Sequence, residues 1–174
     1  MKTIYLAGGC FWGVEKYISL ITGVISTSVG YANGRTPNPT YDDVCYYNSG
    51  HAETVKVEYD PTKVSLKFLL NLFFEAIDPT SLNRQGSDIG AQYRTGIYYI
   101  DEADKDTILD SIALLQESYD KQVMIEVKLL ENFYLAEEYH QKYLYKNPGG
   151  YCHIGSANFK KARHAVDEEL FCHT

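Results

Sequence analysis

The chain has 174 residues, of which 45% are hydrophobic and 22% charged, as is typical of a globular domain with a sizeable core. Its formal net charge of −7 disfavours nucleic acid and anionic membranes as partners, because both repel an acidic surface. No apolar run approaches the roughly 20 residues that span a bilayer, and Met1 leads into a strand without a signal-peptide pattern. We therefore expect a cytoplasmic protein.

The hydrophobic pattern predicts five strands and three helices before a polar C-terminal part. The strands are residues 3–7, 24–31, 53–59, 95–100 and 123–127, and the helices are residues 12–20, 65–74 and 101–120. Ser65 and Asp101 are candidate N-caps. This order predicts an α+β fold, a ferredoxin-like sandwich with helices packed on a mixed sheet.

Residues 133–174 are polar and rich in tyrosine, with a break at Pro148-Gly149-Gly150 and an amphipathic stretch over 156–170. This pattern favours a C-terminal segment that wraps around the sandwich over a second domain. We therefore expect residues 1–174 to form a single domain, and nothing in the chain requires more than a monomer.

Cys10 is predicted to lie where the first strand turns into the first helix, with Gly9 before it. A thiol at a helix N-terminus meets unpaired N–H groups and the positive end of the dipole, which favour the nucleophilic thiolate. Phe11 and Trp12 follow directly and suggest an apolar substrate group held by aromatic rings. The alternative is a buried structural cysteine.

Two loops of about 15 residues carry further polar groups, and long structured loops usually carry function. Glu53 follows the first loop at the start of an alternating strand, where burial would raise the pKa of its carboxyl and make it a general acid. The alternative is an exposed edge residue. In the second loop Asp88 is a candidate for orienting a polar group and Tyr93 for donating a hydrogen bond, unless they serve turn chemistry and packing.

None of the four cysteines lies in a Cys-x-x-Cys pair, which disfavours a zinc site or a disulfide scaffold. Cys152 follows a glycine pair that would let a mobile arm bring its sulfur to Cys10, although an ordinary loop cysteine is the alternative. Cys172 lies near the C-terminus, where it would relay a disulfide outward or have no redox role, and Cys45 is expected to pack.

Four motifs in order, from about Ile4 to Ile154, resemble the peptide methionine sulfoxide reductase A family. They are Gly9-Cys10-Phe11-Trp12-Gly13, Gly50-His51-Ala52-Glu53, Asp88 through Arg94, and Asn147-Pro148 through Cys152. The resemblance implies a similar α+β fold and the reduction of methionine S-sulfoxide, in oxidised proteins and peptides and as the free amino acid. It implies thioredoxin as the reductant. From the residues themselves we expect no metal or other cofactor.

The resemblance also implies roles for individual residues. Cys10 matches the nucleophile, and Cys152 matches the resolving cysteine in the segment from about 147 to 174. The other matches are the methyl pocket of Phe11 and Trp12, the acid Glu53, the oxygen-binding Tyr41 and Tyr93, and the substrate-positioning Asp88.

Many members of the family follow the resolving cysteine with a glycine-rich stretch and a nearby third cysteine, whereas here His153 follows Cys152 and Gly155 is the remaining flexible point before Cys172. Two other functions remain open. A thiol peroxidase or redox sensor would also use an activated cysteine and a resolving cysteine, but it would place a basic group beside Cys10, for which Lys16 is a weak candidate. A binding module that captures methionine side chains would make Cys10 dispensable.

Overall fold

A computed structural model describes residues 1–171 of the protein. The strands are β1 Lys2–Gly8, β2 Val24–Ala32, β3 Ala52–Tyr59, β4 Arg84–Gln85, β5 Asp88–Ile89, β6 Thr95–Tyr99, β7 Glu126–Leu129 and β8 Phe133–Leu135. The α-helices are α1 Phe11–Ser19, α2 Tyr41–Tyr46, α3 Leu66–Ala76, α4 Glu102–Gln116, α5 Tyr143–Lys146, α6 Ser156–His164 and α7 Glu168–Phe171. Two 3₁₀ turns span Ala91–Tyr93 and Glu138–His140.

The main sheet has the strand order β7-β6-β1-β3-β2-β8. Its four inner strands pair antiparallel in the order β6-β1-β3-β2, and α1 and α3 make the two crossovers, which is the ferredoxin-like topology. β7 pairs parallel with β6 and β8 pairs antiparallel with β2, so the sheet is mixed. The predicted fold class is confirmed.

The local signals in the sequence place several helix ends correctly. The Ser65 hydroxyl accepts a hydrogen bond from the Phe68 N–H at 3.1 Å, and the Asp101 carboxylate accepts one from the Ala103 N–H at 3.0 Å. Both side chains thus satisfy an N–H that has no partner within its helix. The turn that carries Cys10 was also predicted correctly. Its position follows from the apolar run of β1, which is buried up to Gly8.

The larger core lies between the sheet and the helices α1 and α3, and a smaller cluster around Tyr98 covers the other face. In the pairing of β1 with β3, Leu6 lies opposite Val55. Continued by two residues, this register brings Gly8 opposite Glu53. The N-terminus of α1 and the Glu53 carboxyl therefore meet at one end of the sheet, held by the main core.

Both long loops contain structure that the sequence analysis did not predict, namely α2 in the first and the β4–β5 hairpin in the second. The strand predicted at 123–127 lies later, at Glu126–Leu129, and β8 was missed. The amphipathic stretch over 156–170 forms two helices, α6 and α7, instead of one. It breaks because Ala165 is extended and the buried Asp167 carboxylate accepts the Ser65 N–H at 2.8 Å.

The longest described helix, α4, has 15 residues and carries charged side chains along its length. Within residues 1–171, no helix has both the length and the apolar composition needed to cross a membrane.

Candidate active site

Cys10 is the N-cap residue of α1 at the end of β1, and only 7% of it is exposed. Gly9 has a φ of +87°, and a Cβ added there would lie 2.6 Å from the Gln85 Cβ. The turn therefore requires glycine for both its conformation and its close packing. These contacts fix the Cys10 sulfur at the helix N-terminus in a nearly enclosed space.

The prediction that the helix N-terminus favours the thiolate of Cys10 is wrong for the resting protein. Burial raises the pKa of the Cys10 thiol far above its usual range, and the charge of Glu53 raises it further. The Trp12 backbone N–H lowers this pKa, but one hydrogen bond does not replace the water that burial removes. The resting site therefore holds a protonated thiol.

Glu53 is 2% exposed, so the alternative of an exposed edge residue is excluded. Its Oε1 accepts a hydrogen bond from the Phe11 N–H at 3.2 Å, one residue after Cys10. Burial raises the pKa of Glu53 to about 8, against the lowering effect of the Phe11 N–H and with a small rise from Asp88. The carboxyl is therefore mainly neutral at pH 7, the state that a general acid requires.

Phe11 and Trp12 form part of an aromatic wall close to Cys10. The Phe11 ring centroid lies 5.8 Å from that of Tyr31 and 5.2 Å from that of His140. Trp12 stacks on Tyr143 with centroids 3.7 Å apart, and its indole N–H donates to His140 Nδ1 at 3.0 Å. The wall is thus assembled from α1 and from the C-terminal part of the chain.

A buried carboxylate holds that C-terminal part against α1. Glu15 is 1% exposed, and its oxygens accept the Lys142 backbone N–H at 2.7 Å and the Lys142 ammonium at 3.2 Å. The Thr27 hydroxyl donates to the same carboxylate at 3.0 Å. Lys142 lies between His140 and Tyr143 in the chain, so these bonds fix the position of the aromatic wall.

Tyr41 and Tyr93 lie on the two loops at the edge of the site. Tyr41 begins α2, where the Thr40 cap and a hydrogen bond from its N–H to Glu137 at 3.1 Å hold it, and its ring lies 4.8 Å from that of His140. Tyr93 ends a 3₁₀ turn. Burial raises the pKa of both hydroxyls, and the charge of Glu53 adds to each rise. Both are therefore neutral hydrogen-bond donors.

Asp88 lies in the β4–β5 hairpin. Its carboxylate accepts a hydrogen bond from the Tyr151 hydroxyl at 2.9 Å, and Ser87 lies 3.0 Å from the same hydroxyl. The negative charge of Asp88 raises the pKa of both Cys10 and Glu53. The hairpin is thus tied to the C-terminal segment beside the site.

Cys152 lies against the first turn of α1. A Cβ added to Gly13 would be 2.8 Å from the Cys152 sulfur, so the sulfur occupies the space that a side chain would fill. The Ile154 N–H donates to this sulfur at 3.4 Å. Cys10, Cys45 and Cys152 are free thiols in this structure, while Cys172 lies outside the described residues. The structure thus brings Cys152 to the helix turn that Cys10 caps.

Four residues that contribute to the site were not predicted from the sequence, namely Glu137, His140, Tyr143 and Tyr151. They come from one stretch, residues 137–151, that has many tyrosines and little hydrophobic periodicity. The density of aromatic and polar residues there was the available signal.

The chain is similar over nearly its whole length to known proteins. The profile of the peptide methionine sulfoxide reductase family matches residues 2–170. The peptide methionine sulfoxide reductase MsrA of Lachnoclostridium phytofermentans is 63% identical over 164 residues, which cover 94% of this chain and 99% of that protein.

Two solved structures of Saccharomyces cerevisiae Mxr1 are also similar. The reduced form has a TM-score of 0.84 and 36% identity, covering 88% of this chain and 91% of that one. Mxr1 in complex with Trx2 has a TM-score of 0.57 and 27% identity, covering 82% and 84%.

Proposed function

This chain belongs to the peptide methionine sulfoxide reductase family, and from that premise we propose how its residues carry the reaction. The protein is an enzyme that reduces methionine sulfoxide in peptides. We propose that Cys10 is the nucleophile, Glu53 the acid and Cys152 the resolving cysteine. The substrate would be the S epimer, bound in peptides or free.

The observation that carries this proposal is the neutral carboxyl of Glu53 beside the Cys10 turn. A sulfoxide oxygen is a poor leaving group until it gains a proton, so the site needs an acid at the oxygen and a sulfur nucleophile on the other side. The pKa of about 8 keeps Glu53 protonated at pH 7, and the Phe11 N–H fixes its position. Tyr41 and Tyr93 would donate further hydrogen bonds to the oxygen.

In the first step the Cys10 sulfur attacks the sulfoxide sulfur while Glu53 protonates the oxygen. The S–O bond of the substrate breaks, the protonated oxygen passes to the Cys10 sulfur, and the new S–S bond breaks with its electron pair on methionine. The proton lost by the Cys10 thiol replaces the one that Glu53 gives, so the products are methionine and a sulfenic acid on Cys10. Because the two proton transfers accompany the attack, no free thiolate need accumulate in the resting protein. The raised pKa of the Cys10 thiol is consistent with this order.

The selectivity of the site follows from its two unlike sides. The rings of Phe11 and Trp12 suit the methyl group of the substrate, whereas Glu53, Tyr41 and Tyr93 suit its oxygen. Asp88 would position the rest of the substrate. Since three substituents of a chiral sulfur are then fixed, one epimer is favoured, and the family resemblance indicates the S epimer.

In the second step Cys152 would attack the sulfenic acid, form a disulfide with Cys10 and release water. We propose that thioredoxin then reduces this disulfide by thiol exchange. The solved complex of the similar protein Mxr1 with Trx2 supports this choice of reductant. A role for Cys172 in passing the disulfide outward remains part of the proposal.

One assay separates this function from the alternatives. Wild type and Cys10→Ser are incubated with dithiothreitol and separated epimers of a methionine sulfoxide peptide, and methionine is quantified. We expect reduction of the S epimer by wild type alone. Activity retained in Cys10→Ser, or reduction of neither epimer by wild type, would exclude the mechanism.

Controls in the same assay address the other two functions. A thiol peroxidase would consume hydrogen peroxide faster than the sulfoxide, and a binding module would show affinity without turnover. Burial raises the pKa of the Cys10 thiol most, and the groups whose charge raises it further are Glu53, Asp88 and Cys152, whereas a peroxidase would require a cation there.

A further inference from the structure

Lys16 lies on the face of α1 that meets the Cys152 segment. It follows Gly13 by three residues, and residues at this spacing share a helix face. Gly13 is the residue against which the Cys152 sulfur packs. The Lys16 ammonium is therefore directed toward the same segment as the sulfur.

Two aromatic rings of the C-terminal part hold this ammonium. Lys16 Nζ lies 5.3 Å from the Phe159 ring centroid and 6.0 Å from that of Tyr145. Within residues 1–171, no carboxylate forms an ion pair with Lys16. A cation held by ring faces keeps its full charge, whereas a carboxylate partner would neutralise it. The charge of Lys16 thus remains available to act on nearby groups.

We propose that Lys16 activates Cys152 for its attack on the Cys10 sulfenic acid, an inference that rests on the proposed function. Burial raises the pKa of the Cys152 thiol, while the Ile154 N–H and the charge of Lys16 lower it. Lys16 therefore acts as a positioning residue, because its charge favours the thiolate of Cys152 while its side chain does not touch the reacting atoms.

The step needs a thiolate at Cys152. The Cys152 sulfur forms a bond with the Cys10 sulfur, the S–O bond of the sulfenic acid breaks, and the oxygen leaves as water. Cys152 is oxidised and Cys10 is reduced. The proton that the thiol releases balances the one that the leaving oxygen gains. A cation beside Cys152 increases the fraction present as thiolate, on which the rate depends.

The test compares Lys16→Met, which removes the charge, with Lys16→Arg, which keeps it. Lys161→Met is the matched control, because Lys161 lies on α6 and its ammonium pairs with Glu75 at 2.7 Å. Each full-length variant reacts once with a methionine sulfoxide peptide in the absence of reductant. Methionine, sulfenic acid trapped by dimedone, and the Cys10–Cys152 disulfide are quantified by mass spectrometry over time and from pH 6 to 10.

We expect all variants to form the first equivalent of methionine at the wild-type rate. Lys16→Met should form the disulfide about threefold more slowly at pH 7 for each unit rise in the pKa of Cys152, since a more basic thiolate is partly compensated by its greater nucleophilicity. The deficit should narrow as the pH rises toward the pKa of Cys152, because the fraction of thiolate then increases in both proteins. Lys16→Arg and Lys161→Met should behave as wild type.

Two results would overturn the inference. One is a wild-type rate of disulfide formation in Lys16→Met at every pH, and the other is equal slowing in both Lys16 variants at every pH, which would indicate packing by the side-chain stem. Failure of the proposed function would give a different result, because the wild-type protein itself would then form no Cys10–Cys152 disulfide. That result would also exclude a role for Lys16 in forming it.

Discussion

The two sulfur atoms of the proposed disulfide are held by different kinds of structure. Cys10 lies between β1 and α1, nearly enclosed, with Glu53 on the adjacent strand β3. Cys152 lies between the Pro148-Gly149-Gly150 break and α6, and its sulfur is hydrogen-bonded to Ile154, only two residues away. One sulfur belongs to the main core and the other to an irregular segment that rests on it.

The difference matches what each step requires. Transfer of oxygen to Cys10 needs a site that excludes water and holds an acid in its neutral form. The proposed disulfide formation needs Cys152 to reach bonding distance of Cys10 and the bond then to be accessible to an external reductant. Substitutions in the core should therefore affect the first step or the whole fold, and substitutions in the segment should affect the second step.

The largest effect is expected for Glu53→Gln, which keeps the shape of the side chain but removes the acid. We expect kcat/KM for a methionine sulfoxide peptide to fall about 10²–10³-fold. Because the pKa of Glu53 is about 8, wild-type activity should decline as the pH rises through that value and the acid ionises. The variant should lack this decline. Unchanged kcat/KM at pH 7 would remove Glu53 from the mechanism.

Glu15→Gln should destabilise the fold. The amide has one acceptor oxygen where the carboxylate has two, so either the N–H or the ammonium of Lys142 would lose its hydrogen-bond acceptor. We expect the free energy of unfolding in urea to fall by about 2 kcal/mol, as for other buried charged groups that lose a partner. Glu75→Gln, which removes an exposed pair with Lys161, should cost under about 1 kcal/mol. Equal losses in the two variants would contradict the anchoring role of Glu15.

Gly13→Ala separates the two steps directly. The new methyl group would lie 2.8 Å from the Cys152 sulfur, closer than van der Waals contact allows, and would displace the segment. We expect disulfide formation in a single turnover to slow about tenfold, which corresponds to about 1.4 kcal/mol, while the first equivalent of methionine forms normally. Gly155→Ala is the control, because a Cβ there would have nothing within 4 Å. If both variants formed the disulfide at the wild-type rate, the packing of Cys152 on Gly13 would have no role in resolution.

The sequence alone was sufficient for the strand-to-helix turn at Cys10, and it offered a raised pKa of Glu53 as one of two alternatives, which the burial of Glu53 decided. Both depend on patterns within a few residues, an apolar run that ends at glycines and a carboxylate in an alternating strand. It was not sufficient for the pKa of the Cys10 thiol. The helix N-terminus is a local property, but burial and the charge of Glu53 come from residues more than 40 positions away.

The elements that were missed also depend on distant partners. α2 has a local signal that the prediction missed, a capping box of Thr40 and Asp43, and its start is also held by Glu137, 96 residues later, which accepts the Tyr41 N–H. The three-residue strand β8 exists through its pairing with β2. Neither interaction leaves a periodic pattern in its own stretch of sequence. The prediction of the aromatic wall from Phe11 and Trp12 was incomplete for the same reason, since His140 and Tyr143 reach Trp12 only after the chain has folded.

The smallest effect is expected for Tyr151→Phe, which removes the hydrogen bond between the segment and Asp88. A hydrogen bond of this kind contributes about 1 kcal/mol, so amides near Cys152 should exchange with deuterium about fivefold faster. Amides of α1 and β3 should keep their protection, because their opening requires disruption of the main core. Tyr46→Phe, at a side chain that is 75% exposed, is the matched control. Equal loss of protection in the segment and in α1 would mean that the two sulfurs belong to one cooperative unit, and the distinction between a cysteine of the core and a cysteine of the segment would be wrong.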